Sequence, residues 1–141
     1  MSKKPEQVLW DYIRDNMAHM GHFDRIESTF TVNGRPDVNY CIDGREGDME
    51  LKVYDPKRNG FVLRSSQNIW FKKRIKDGGN CWLFARYDYM PSGVKRYLLI
   101  RGSDVHKLAH DRTYDTWLAV ASVVWDGSVN WSEFKAYIKG K

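Results

Sequence analysis

Several marks of common protein classes are scarce or missing here. The 141 residues include only two cysteines, Cys41 and Cys81, too few for a disulfide scaffold or a four-cysteine zinc site. No run of about 18 apolar residues is present, which argues against a membrane span and a membrane partner. The first residues, Met1-Ser2-Lys3-Lys4-Pro5-Glu6, lack the apolar core of a secretory signal. The expectation is an intracellular, thiol-reduced, cytoplasmic protein. No Walker-type glycine loop, Gly-x-Ser-x-Gly elbow or Glu-containing zinc motif occurs. His106 with His110, and His19 with His22, have helical spacing but no third ligand nearby in sequence, and read as surface residues. With no repeat and no Pro/Gly-rich linker, residues 1–141 read as one domain, with a core over about 5–101 and an apolar and helical extension over 102–141.

What is present is charge, unevenly placed. The chain carries 23 Lys and Arg against 18 Asp and Glu, a net +5. From Lys52 to Lys76 eight basic residues face Asp55 alone, so this window holds +7 and the rest of the chain −2. A field concentrated in this way suits a polyanionic partner, although a solvated helix face gives the same count.

The hydrophobic pattern predicts a helix from Pro5 to about Met20, where Val8, Leu9, Tyr12 and Ile13 recur at helical spacing. Strands follow at Glu27–Val32, Asp37–Ile42 and Gly47–Tyr54, separated by turns at Asn33-Gly34 and Asp43-Gly44. A second helix is expected over Ser66–Asp77, capped by Ser65 or Ser66 and stopped by Gly78-Gly79. Cys81–Ala85 and Tyr97–Ile100 read as strands, and Ser103–His110 as a short helix. Asn130 and Glu133 form a capping-box-like start for a last helix to Ile138. Thr116–Trp125 is apolar throughout, and periodicity leaves helix and strand both open. Strands on both sides of a crossover helix imply an α/β (α+β) fold with a mixed central sheet flanked by helices.

Glu50 and Lys52, two apart on a strand, project from one face. Asp37 comes alongside them if its strand pairs across the Asp43-Gly44 turn. Two carboxylates at a sheet end suit a hard divalent cation such as Mg²⁺. A neighbouring lysine has two plausible tasks, orienting a water or stabilising charge on a phosphate. The alternatives are an ordinary turn residue at 37 and a surface ion pair at 50 and 52. Glu46 and Asp48 share the parity of Glu50 and read as solvated residues beside the turn.

Pro36-Asp37, twelve intervening residues and Glu50-Leu51-Lys52 resemble the signature of the PD-(D/E)XK nuclease superfamily. The helix, three strands, helix, strand order resembles its αβββαβ, restriction-endonuclease-like core. Gln67, in Arg64-Ser65-Ser66-Gln67, resembles the Holliday-junction resolvase and VRR-NUC branches. The resemblance covers about Glu6 to Arg86. It implies a Mg²⁺-dependent DNA endonuclease, with Mn²⁺ as a substitute, acting on branched or flapped DNA as a homodimer. By the same resemblance Asp37, Glu50 and the Leu51 backbone carbonyl would hold the metal, and Lys52 would be catalytic. Glu6 would stand near the metal, though an acid in a first helical turn also suits the helix dipole. Gln67 would orient Lys52 or substrate, and Arg64, Lys72, Lys73 and Lys76, with Lys57 and Arg58, would contact flanking phosphates. A compact nuclease of this kind suits a phage or mobile element. A flap or single-strand nuclease, a non-catalytic nucleic-acid-binding module and a protein-interaction domain are the other readings.

Overall fold

Proline at the start of a helix forfeits no hydrogen bond, and Pro5 opens α1 (Pro5–Met17). The helix ends one turn before the expected Met20, where the Met20 N–H donates to the Met17 carbonyl at 2.9 Å. The computed structural model describes residues 3–26 and 34–140. The strand expected over Glu27–Val32 and the turn residue Asn33 lie outside the described residues. The first strand described is instead β1 (His22–Arg25). Its His-Phe-Asp-Arg sequence has a single apolar residue and no β-branched one, which is why the strand pattern misses it.

β2 (Val38–Ile42) buries Val38, Tyr40 and Ile42 in alternation, as expected. Asp43 and Gly44 take φ of 51° and 80°, the double left-handed geometry of a two-residue hairpin. They lead into β3 (Arg45–Val53). α2 (Ser65–Lys76) follows, capped at the Arg64 position rather than by a serine side chain. Gly78, at φ 82°, stops it. The remaining elements are β4 (Cys81–Tyr87), β5 (Arg96–Arg101), a 3₁₀ helix (Gly102–Leu108), α3 (Tyr114–Val120), β6 (Val123–Asp126) and α4 (Trp131–Lys139). The Asn130 side chain accepts from the Glu133 N–H at 3.0 Å, as the capping pattern implies.

Among the described residues six strands lie side by side in chain order. β3 and β4, joined through α2, are parallel, and every other neighbouring pair is antiparallel. The protein is therefore α+β, a mixed six-stranded sheet flanked by helices. Its first six elements follow the helix, three strands, helix, strand order.

The sheet divides the core in two. On one face α1 and α4 pack Leu9, Ile13, Phe134 and Ile138 against Val38, Tyr40, Leu51 and Phe84. On the other, α2, the 3₁₀ helix and α3 bring Phe71, Leu108 and Trp117 against Leu83, Ala85, Leu98 and Ile100. β4 supplies alternate residues to both cores, which accounts for its unbroken apolar run. The ambiguous Thr116–Trp125 segment splits for the same reason. Trp117 on α3 enters one core and Trp125 on β6 the other. Among the described residues no helix is long and apolar enough to cross a membrane.

Candidate active site

The site forms where the start of β2, the middle of β3 and the first turn of α2 come together. Val38 pairs with Met49 across β2 and β3, so one further step of the same register sets Asp37 opposite Glu50. Val38, Tyr40 and Ile42 face α1, which turns Asp37 to the α2 side with Glu50 and Lys52. The Asp37 carboxylate accepts a hydrogen bond from the Leu51 N–H at 3.2 Å. Within a strand a residue's N–H and C=O leave by the same edge, so the Leu51 carbonyl also faces the side on which Asp37 lies.

Gln67 ties β3 to the first turn of α2. Its Oε1 accepts from the Arg64 N–H at 2.9 Å and from Lys52 Nζ at 2.9 Å, while its Nε2 donates to Glu50 Oε1 at 2.9 Å. One amide therefore caps α2 and fixes both the carboxylate and the ammonium. Lys52 Nζ lies 3.8 Å from Glu50 Oε1. Gln67 is 2 % exposed and Glu50 3 %, and in that setting an unpaired polar atom costs roughly 1–3 kcal/mol. Glu50 Oε2 is buried and has no hydrogen-bond partner among the described residues.

Burial pushes the Glu50 carboxyl well above the usual range, and the neighbouring Asp37 charge pushes it further, against the pull of Lys52. Burial also lowers the Lys52 ammonium, opposed by Glu50, Asp37 and Glu6. The site thus holds two carboxyl groups opposite one another, and one of them, Glu50, has an oxygen left open among the described residues.

Asp37, Glu50, Leu51, Lys52 and Gln67 line one cavity of about 460 Å³, and Glu6, Arg58 and Arg64 lie on its walls. Lys57 is exposed in the neighbouring turn, and Lys72, Lys73 and Lys76 sit further along α2, outside this cavity. Sequence reasoning missed Lys4 and Arg25, which also line it. Arg25 sits on the unforeseen β1, where it donates to the Gln7 side chain at 3.2 Å, so no motif spacing pointed to it. Asp48, expected to be solvated, is only 6 % exposed and accepts from Asn39 at 3.2 Å. Its parity was right, but the packing of α2 over that face was not visible in the strand pattern. His19, His22, His106 and His110 are exposed.

Among the described residues no three His, Cys, Asp or Glu side chains converge as a metal-binding group. The donors at hand are two carboxylates and one backbone carbonyl, all oxygen. That set fits Mg²⁺, which binds through one or two carboxylates and keeps several waters. The open Glu50 Oε2 beside Asp37 is the observation favouring the fit. No family model matches the chain, and no curated protein matches it in sequence.

Proposed function

We propose that the protein is a metal-dependent DNA endonuclease of the PD-(D/E)XK kind that hydrolyses phosphodiester bonds. The observation that carries this reading is the buried Glu50 carboxylate, open at Oε2 and opposite Asp37, with Lys52 clamped beside it by Gln67. Two adjoining carboxylates in a buried setting repel, and a cation between them offsets that repulsion. Asp37, Glu50 and the Leu51 carbonyl would hold Mg²⁺ or Mn²⁺, with Glu6 on the cavity wall. Such an ion, when bound, supplies Lewis-acid polarisation of a phosphate and a water of lowered pKa.

The chain's own groups do the rest. Lys52 presents its ammonium to the phosphate oxygens, and Gln67 holds that ammonium in place as a positioning residue. Arg58 and Arg64 on the cavity wall take flanking phosphates, giving affinity without base readout. Contacts to backbone rather than to bases suit structure-selective cutting of branched or flapped DNA. A homodimer suits symmetric cutting, and β6, the outer strand of the sheet among the described residues, with Val124 37 % exposed, is where a second copy would extend the sheet.

The test is cleavage of labelled junction, flap, single-stranded and duplex DNA with and without Mg²⁺ or Mn²⁺. Cation-dependent cutting that disappears in Asp37→Ala and in Glu50→Ala is expected. Full activity in both variants would remove the site. Salt-sensitive binding with no cleavage under any cation would favour a non-catalytic nucleic-acid-binding module.

A further inference from the structure

A cavity larger than the carboxylate site lies elsewhere on the molecule. A cleft of about 710 Å³ lies at the other end of α2, walled by Arg35, Arg45, Arg74, Arg101 and Lys139. Glu46 and Asp48 are the acids that line it, so its lining sums to +3. These cations come from β3, α2, β5, α4 and the segment before β2, and no local run of sequence announces them.

Their engagement differs. The Arg45 guanidinium donates to the Gly140 carbonyl at 2.9 Å, and Lys139 pairs with Asp43 at 3.0 Å. Arg74 lies over the Trp70 ring at 4.6 Å and Arg101 over Trp82 at 5.1 Å. Neither of these two side chains has a carboxylate or hydrogen-bond acceptor among the described residues. A guanidinium stacked on an indole is held by its face, leaving its N–H edges available. Edge-on N–H donors fixed in orientation are what a phosphate group requires.

The cleft also continues. A second hollow of about 490 Å³ shares Arg35, Arg74, Gly78 and Gly79 with the first and adds Trp70, Lys73 and Asp77, so its lining sums to +2. Two adjoining basic hollows fit an extended polyanion better than a single small anion. The carbonyl end of α2 disfavours an anion there by about half a charge, and Lys73, Arg74 and Lys76 in its last turn outweigh that.

We infer that this cleft is a second phosphate-binding site, which holds a nucleic-acid backbone away from the carboxylate site. Asp48 in the cleft and Glu50 in the carboxylate site share one face of β3. From Glu46 at the cleft to Lys52 is six residues of strand, about 20 Å. At 3.4 Å per base pair that spans about six base pairs. The spacing to a cleavage point rests on the hydrolytic reading of the carboxylate site; the cleft's affinity does not.

The experiment is therefore a binding measurement in EDTA. Fluorescence anisotropy of a labelled DNA duplex is followed across a salt series for the intact chain, the double variant Arg74→Ala/Arg101→Ala, and Arg14→Ala on α1. The double variant should bind roughly tenfold more weakly and lose about 2 from the slope of log affinity against log salt. Arg74→Lys/Arg101→Lys should recover most of the slope, because the charges return. Arg14→Ala should bind as the intact chain does. Unchanged affinity and slope in the double alanine variant would overturn the inference, as would an equal loss in Arg14→Ala. Displacement of the duplex by micromolar inorganic phosphate would replace the backbone with a small anion and overturn it too. Both arginines are exposed, and an unchanged melting temperature certifies that the variants fold. If the intact chain binds through the cleft but never cleaves, the hydrolytic reading fails and this one stands.

Discussion

At the scale of single residues, Glu50 concentrates the tension of the site. Its folded carboxyl keeps a proton to higher pH than an unfolded one, because burial and Asp37 both oppose its charge. Between the ordinary carboxylate range and that raised value the folded state binds the extra proton, so this residue makes stability fall as pH rises. Glu50→Gln cannot titrate. In metal-free buffer the melting temperature of Glu50→Gln should gain on that of the intact chain as pH goes from about 5 to about 8. Parallel curves would show that Glu50 is not destabilised by its surroundings. Added Mg²⁺ should raise the melting temperature of the intact chain only, by the equivalent of about 1.4 kcal/mol at tenfold over its Kd. Cys81 is a quieter case. Burial pushes its thiol up to about 12, so little thiolate exists at neutral pH. Half-buried Cys41 should be alkylated first by iodoacetamide in the native protein, and Cys81 only on unfolding, as peptide mapping would read out.

At the scale of elements, α2 and β3 are one device. The pair Glu50 and Lys52 was legible from strand parity, and Asp37 from the turn between the strands, because period-two alternation and an Asp-Gly turn are strictly local signals. Gln67 was legible only through the resemblance, since nothing in a helix pattern says that one amide will cap the helix and also bridge a carboxylate to an ammonium. The cap itself was misread for a related reason. Ser65 and Ser66 carry the usual capping side chains, but Gln67 reaches back to the Arg64 N–H, and tertiary demand overrides the local preference. Gln67→Ala should therefore cost about 2–4 kcal/mol in chemical denaturation, because it strands Glu50 Oε1, the Arg64 N–H and part of the Lys52 shell at once. On the proposed function it should also lower cleavage more than DNA binding, since Arg58 and Arg64, the arginines proposed to take phosphate, remain. A loss confined to binding would contradict its positioning role. Gly34 belongs to the same junction. Its φ is 86°, and a β-carbon there would meet the Ser66 carbonyl. Gly34→Ala should destabilise by about 2 kcal/mol or more, measured by the same denaturation.

At the scale of the molecule, the segment after Arg101 decides whether the sheet has two covered faces. Sequence alone sets it apart as an extension, since its helices are short and its apolar run has no clear period. In the folded chain it contributes Val105, Leu108 and Trp117 to one core and Trp125, Val129, Phe134 and Ile138 to the other. α4 is also fastened by polar contacts, for the Ile138 carbonyl accepts from Tyr40 Oη and Asn80 Nδ2, each at 2.7 Å. Burial takes Tyr40 far from ionisation, so that bond persists at any working pH. Lys139 and Gly140 then form part of the basic cleft's wall, so one helix covers the α1 face and shapes a cleft on the other. Phe134 is fully buried against Phe84, Trp125 and Trp131. Truncating such a ring costs about 3–5 kcal/mol, against a total of about 5–15 kcal/mol for a domain of this kind. Phe134→Ala should therefore melt markedly lower yet still bind DNA below its transition, because the arginines of the cleft are untouched. Removal of residues 131–141 should go further. It exposes Tyr40, Ile42 and Phe84 together and should abolish the cooperative transition in calorimetry. A truncated chain that melted cooperatively near the intact temperature would show that α4 is an appendage and that the sheet's α1 face is stable without it.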